Sequence, residues 1–385
     1  MFVPTRLSYA LRPQAPLGLL LAAAAVAIMF GATPFLIPEL SRHFGVTEGL
    51  AGAVSVAQVG AFAGVNLVLP RYVRPSGTLF VSAGGLLVAA NLISVFAPSF
   101  GVLLAVRVGA GAAAGTLTWL AWTDAMRHPR SLSALAAAGP VTALVSAPLL
   151  SLVAEFGDQA VYLALTVVAL PVLFLRVETG SGMSLTRVVS KSRSNWILLG
   201  ALFLQVLAGS ALFIYVAVAA REELGLSPGV ASLGFSLNAL GGLIGARFSS
   251  RHRRPGWWLA TSGPAAFLVI GGGHPVWFFF GLFWWGLSFW MGIPGVLQML
   301  ADRSLEPGER AGDAQGIMAV GRAIGPILGG AFTDAGAFRE LALISGVGMT
   351  LAGISVIGVQ EGRDLLPPSD PSFARGPVDG QIETF

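Results

Sequence analysis

Gln315 to Gly330 reads QGIMAVGRAIGPILGG. The stretch sets a full charge, Arg322, inside an otherwise apolar segment beside Gly325-Pro326 and the pair Gly329-Gly330. A helix of about 20 such residues covers the ~30 Å of hydrocarbon in a bilayer, at ~1.5 Å per residue. A guanidinium at that depth costs roughly 2.5 to 3.5 kcal/mol on insertion scales, so it normally faces a protein interior, a partner or a water-filled path. Whether the stretch crosses a membrane at all is decided by the rest of the chain.

Hydrophobic residues make up 55% of the chain and charged residues 11%, far below the roughly 25% charge of an ordinary soluble domain. Apolar runs of span length recur from end to end, so the class is a polytopic, all-α membrane protein. Six runs fall at about 16–38, 48–69, 77–97, 99–123, 131–154 and 158–175. A polar stretch, 176–195, then reads as a linker. Six further runs follow at about 196–219, 229–249, 256–272, 275–301, 313–333 and 339–359. The expected organisation is thus an N-terminal six-helix half over 1–175, a cytoplasmic linker over 176–195, a C-terminal half over 196–359 and a disordered cytoplasmic tail over 360–385. The stretch around Arg322 becomes the eleventh span.

Several function classes drop out. Without cysteine there are no disulfides, thiolate metal sites or cysteine nucleophiles. The sequence pI near 10.1 does not signal nucleic-acid binding, because the basic residues lie in short loops between spans. No G-x-x-x-x-G-K-[ST] loop is present to hydrolyse ATP. Neither an enzyme nor a cofactor or metal is expected; the partners expected are membrane lipid and a small-molecule substrate, with the chain acting as a monomer.

Orientation follows from the basic residues. In the loops on one side only Arg42, Arg221 and Arg339 occur, whereas the termini, the linker and the loops level with them carry nearly all the others. The positive-inside rule puts both termini in the cytoplasm, in a bacterial inner membrane. The halves also repeat. A shift of 180 residues pairs Gly45 with Gly225, Gly49 with Gly229, Arg71 with Arg251, Arg74 with Arg254 and Pro75 with Pro255. Thr47 and Ser227 fall where a side-chain oxygen caps the second and eighth spans. Repeated six-span halves imply a two-fold axis along the membrane normal, with a site between them near the midplane.

Taken together, the twelve-span plan, Gly45-Val-Thr-Glu-Gly49 before span 2, Arg107 with Gly111 and Gly115 in span 4, Gly139-Pro140 in span 5 and Gly321-Arg-Ala-Ile-Gly-Pro326 in span 11 resemble the major facilitator superfamily. The resemblance covers about residues 10 to 360 and implies secondary transport of a small organic solute by alternating access. Gly139-Pro140 resembles the motif associated with antiporters of that family, which implies efflux of a drug-like or metabolite molecule. One departure is Leu69-Pro-Arg-Tyr-Val-Arg-Pro75, which lacks the acidic residue that the family's loop between spans 2 and 3 usually carries.

Arg107 and Arg322 lie at similar depths measured from opposite ends of their helices, ~12 and ~14 Å. With Thr118 and Trp122 of span 4, Gln205 and Tyr215 of span 7 and Trp285 of span 10, they are candidate substrate-binding residues. A guanidinium can grip a carboxylate or phosphate in a bidentate fork. Each arginine can equally hold helix packing by bonding exposed carbonyls. Uptake or exchange of an organic anion is therefore the alternative function, and a transport-dead receptor or lipid-moving protein a second. Candidate gating residues are Arg71, Arg74, Asp124, Arg251 and Asp302, able to form ion pairs at the cytoplasmic ends, together with the kinks Gly139-Pro140 and Gly325-Pro326. No Asp or Glu falls at the expected middle of any span, so a protein-borne proton site is not evident.

Overall fold

The computed structural model describes residues 16–125, 129–175, 193–248, 254–302 and 307–364. Most of the linker, the tail beyond 364 and Arg251 lie outside the described residues. Sixteen helices fill the rest: α1 Leu17–Gly31, α2 Thr33–Phe44, α3 Glu48–Ala51, α4 Ala53–Tyr72, α5 Gly77–Val95, α6 Phe100–Ala125, α7 Pro129–Ala154, α8 Asp158–Ala169, α9 Pro171–Phe174, α10 Arg193–Phe213, α11 Val216–Leu224, α12 Pro228–Phe248, α13 Pro255–Gly271, α14 Pro275–Ala301, α15 Pro307–Asp334 and α16 Phe338–Asp364. Strands are absent among the described residues.

Every expected span is occupied by helix, with a difference in length. Among the described residues nine spans are long and apolar enough to cross a membrane, and α1 with α2 forms a tenth that bends by 49°. Pro34, at the start of α2, accounts for the bend, since proline removes a ladder donor and clashes with the preceding turn. The sixth span is the short pair α8–α9, and the ninth, α13, has 17 residues.

These helices are apolar on nearly every face, so polarity does not separate inside from outside. Large side chains do. Val141, Val145, Leu149 and Leu152 make an exposed stripe along α7, and Leu343, Val347, Leu351 and Ile354 make another along α16. Such helical spacing on a bilayer-length element is a lipid-facing surface. Small residues and amides turn inward instead, where glycines let neighbouring backbones approach.

The turns repeat between the halves of the sequence. Gly45 and Gly225 end α2 and α11 in the left-handed region, at φ 64° and 62°, a conformation that closes a helix at little cost only in glycine. Thr47 Oγ1 accepts from the Leu50 N–H at 3.1 Å and Ser227 Oγ from the Val230 N–H at 3.4 Å. The chain turns that include residues 45–47 and 225–227 share one end of the bundle, called here the far end. The other end, called here the linker end, carries the described residues that flank the linker, Leu175 and Arg193.

Candidate functional site

A cavity of about 300 Å³ lies between the first group of helices, 17–174, and the second, 193–364. Its walls come from α1 (Phe30, Gly31), α4 (Ser55, Val59), α10 (Gln205, Ser210, Phe213), α12 (Asn238), α14 (Trp285, Phe289, Trp290) and α15 (Arg322). Most of this lining is apolar or aromatic. Among the described residues no Asp or Glu lines it.

Arg322 reaches the cavity because of what the neighbouring positions of α15 must do. Gly321, Gly325 and Gly329, spaced four apart, lie against α10: a Cβ at these positions would come within 2.8 Å of Phe203 O, 2.6 Å of Leu207 O and 2.0 Å of Ala211 O. That stripe presses the two backbones together. Ile324, Ile327 and Leu328 occupy an exposed face of α15, and the arginine is left on the cavity side. Its side chain is accessible there and has no hydrogen bond or ion pair with any described residue.

Polar groups beside it are fixed by the frame. Gln205 donates from Nε2 to Ser262 Oγ at 2.8 Å, which leaves its buried Oε1 without a partner. Asn238 Nδ2 donates to Leu282 O at 2.8 Å. Ser210 Oγ donates to Val206 O at 2.6 Å. Among the described residues the cavity therefore offers a cation without a bonded partner and several ring faces. Such a set suits a ligand with an anionic group and an apolar body.

Toward the far end the cavity is roofed by rings. Trp285 meets Phe213 edge-on at 5.6 Å, Phe213 meets Phe235 at 5.1 Å and Phe235 meets Phe35 at 5.2 Å. Beyond them the two groups of helices are tied together. Thr47 Oγ1 donates to Asp334 Oδ2 at 2.8 Å and the Gly49 N–H to Asp334 Oδ1 at 2.7 Å. Tyr215, in the break between α10 and α11, places its hydroxyl 2.8 Å from Pro326 O and 3.1 Å from Gly49 O. Arg221 pairs with Glu48 at 2.7 Å. The other bond between the groups among the described residues, from Ser236 Oγ to Leu144 O at 2.9 Å, lies at mid-depth.

Of the residues expected at a substrate site, Arg322, Gln205 and Trp285 share this cavity. Tyr215 lies beyond the ring roof, in the far-end contact. Thr118 and Trp122, half-buried on α6, do not line it, and neither does Arg107. Arg107 is 0% exposed inside the first group, where it donates to Gln58, Asn91 and Ser94. At the linker end Asp124 is half-buried near the end of α6 and Asp302 is exposed just after α14. No ion pair joins Asp124 to Arg74 among the described residues. Pro140 and Gly139 sit within α7, where Thr142 Oγ1 returns to Ala138 O at 2.7 Å. Pro326 sits within α15 and hands its own carbonyl to Tyr215.

Sequence reasoning missed Asp334 and its contact with Thr47 and Gly49. The available signal was the pair Thr47-Gly49, an exposed N-cap and a bare N–H that face an acceptor.

Asp334 accepts two hydrogen bonds as a carboxylate, so an amide in its place presents a donor to a donor. Asp334→Asn is expected to loosen the far-end contact by about 1 to 3 kcal/mol. The chain is free of cysteine, so Ser55→Cys in the cavity provides a clean reporter. With Asp334→Asn its labelling from the far face by an impermeant thiol reagent is expected to rise at least several-fold; an unchanged rate would remove Asp334 from the closure.

A family model described as the Major Facilitator Superfamily matches residues 19–330. Among solved structures, a bacterial homolog of the human lysosomal transporter Spinster, in an inward-facing and occupied conformation, superposes with a TM-score of 0.71. It is 14% identical, over 96% of this chain and 100% of its own. The nucleoside transporter NupG, as its D323A mutant, superposes with a TM-score of 0.65 at 12% identity, over 89% of this chain and 98% of its own. No curated protein matches the chain by sequence.

Proposed function

The chain belongs to the major facilitator superfamily, and we propose that it is the exporter, in a bacterial inner membrane, of a small amphipathic organic anion. Membrane-embedded secondary transport of small molecules, rather than catalysis, comes with the family. Substrate class, direction and sidedness are the further reading.

The observation that carries the substrate class is Arg322, a cation without a bonded partner among the described residues, in a cavity that no described carboxylate lines. A guanidinium so placed pays for its depth only when an anion or water occupies the fork. Trp285, Phe213 and Phe289 suit a ring or hydrocarbon portion. The positive-inside count supports a cytoplasmic linker end. With the far end tied by Asp334 and Tyr215, the protein then stands closed to the outside. The two helix groups, acting as halves of a monomer, rock about that contact to expose the cavity alternately. Export is supported by the likeness of Gly139-Pro140 to the antiporter motif.

Matched ligands test the substrate class. An aromatic carboxylate is expected to raise the melting temperature of the purified protein, while its neutral amide and the corresponding amine do so at least tenfold less effectively. Stabilisation by the amine alone would sink the anionic reading. Direction is read from inverted vesicles, in which the exporter accumulates the labelled carboxylate.

A further inference from the structure

Arg107 has no place in the cavity, and its surroundings raise a separate question of charge. Its Nε donates to Gln58 Oε1 at 2.6 Å, and its Nη1 to Asn91 Oδ1 at 2.8 Å and Ser94 Oγ at 3.3 Å. All three acceptors are neutral. The Tyr162 ring lies against the guanidinium, its centre 5.2 Å from the central carbon. No carboxylate pairs with Arg107 among the described residues. Asp158, one turn before Tyr162, is engaged by His43, whose Nδ1 lies 3.0 Å from both carboxylate oxygens. A full positive charge thus stays unneutralised in the interior of the first helix group, where an isolated charge is most costly.

Three buried polar atoms of Arg107 and of two residues that touch it also lack hydrogen-bond partners: Arg107 Nη2, Gln58 Nε2 and the Tyr162 hydroxyl. The first two only donate, and the third can donate. A water held by these donors would leave the positive charge in place. An anion needs donors only, and it cancels the charge.

We infer that Arg107, Gln58 and Tyr162 hold a small monovalent anion, chloride or a halide of similar size, inside the first helix group. The residues are 0%, 1% and 0% exposed, which restricts the ion to a monatomic or comparably small species and makes it a resident rather than cargo. It acts on the transport site through α4. Gln58 lies between Ser55 and Val59, which form the cavity wall, so an ion bound to its amide fixes that stretch of helix.

The test is the melting temperature of the purified full-length protein as sodium chloride replaces sodium gluconate at constant ionic strength, with bromide in parallel. Chloride and bromide are expected to raise it along a saturating curve, because a ligand of the folded state stabilises it by mass action. In Tyr162→Phe, which keeps the ring and removes one donor, the half-saturating concentration is expected to rise about tenfold. Arg322→Gln should leave the chloride response intact, which separates this ion from the substrate site. No chloride response in the unaltered protein would overturn the inference. So would a response that Tyr162→Phe leaves unchanged, or one that Arg322→Gln abolishes.

Discussion

Arg322→Gln is expected to abolish saturable transport, weakening substrate binding about 100-fold, while the yield and melting temperature of the protein stay level or rise. The two effects separate because Arg322 has no bond to any described residue, so its removal breaks nothing within the fold. Truncating one partner of a desolvated charge pair costs about 2 to 5 kcal/mol, which is about 30-fold to several thousand-fold in affinity at ~1.4 kcal/mol per decade. Arg322→Lys is expected to recover only part of the loss, since an ammonium is a point charge without the planar fork. Flux through proteoliposomes and ligand-induced thermal shifts check both halves. Normal flux by a well-folded Arg322→Gln protein would remove the anion site.

The second large effect is expected from a single methyl group. Gly329→Ala places a Cβ 2.0 Å from Ala211 O and 2.9 Å from Tyr215 Cδ2. Neither the carbonyl nor a ring already pinned by its hydroxyl can step aside without parting α10 from α15. Overpacking of this kind costs about 1 to 3 kcal/mol, and here it also displaces Pro326 O from Tyr215, so transport is expected to fall at least tenfold. Gly139→Ala is the control. Nothing lies within 4 Å of a Cβ at that position, and the variant is expected to melt within a degree or two of the parent. Equal losses in the two variants would mean that close approach of α10 and α15 is not what Gly329 provides.

The fold was legible in the sequence because the bilayer imposes one length on every element and the loops punctuate it. Gly45 and Gly225 even announced the same left-handed turn in both halves. The site was legible in part. Arg322 stood out because a charge in an apolar run is rare, and Gln205 and Trp285 came with it as the polar and aromatic residues of facing spans. Arg107 carried the same signal with a different outcome, since depth along a helix says nothing about rotation around it. Gly111 decides that rotation: a Cβ there would lie 2.0 Å from Gln58 O, so α6 turns this face, Arg107 included, onto α4 and away from the cavity. The far-end closure was hidden for another reason. Asp334 and Thr47 are far apart in sequence, and each alone reads as an ordinary polar residue at a helix end.

The contact at Gly49 and Gly330 makes α15 a lever whose fulcrum lies near one tip. The helix has 28 residues, a rod of ~42 Å. Turned by about 10° on that fulcrum, the level of Arg322, ~12 Å away, shifts by only ~2 Å, whereas the tip near Pro307, ~35 Å away, sweeps ~6 Å. Under the proposed function, a throw of that size would open a doorway at the linker end while the guanidinium barely leaves its ligand. Such gearing lets one rigid helix keep hold of its cargo through most of the stroke and release it only at the end.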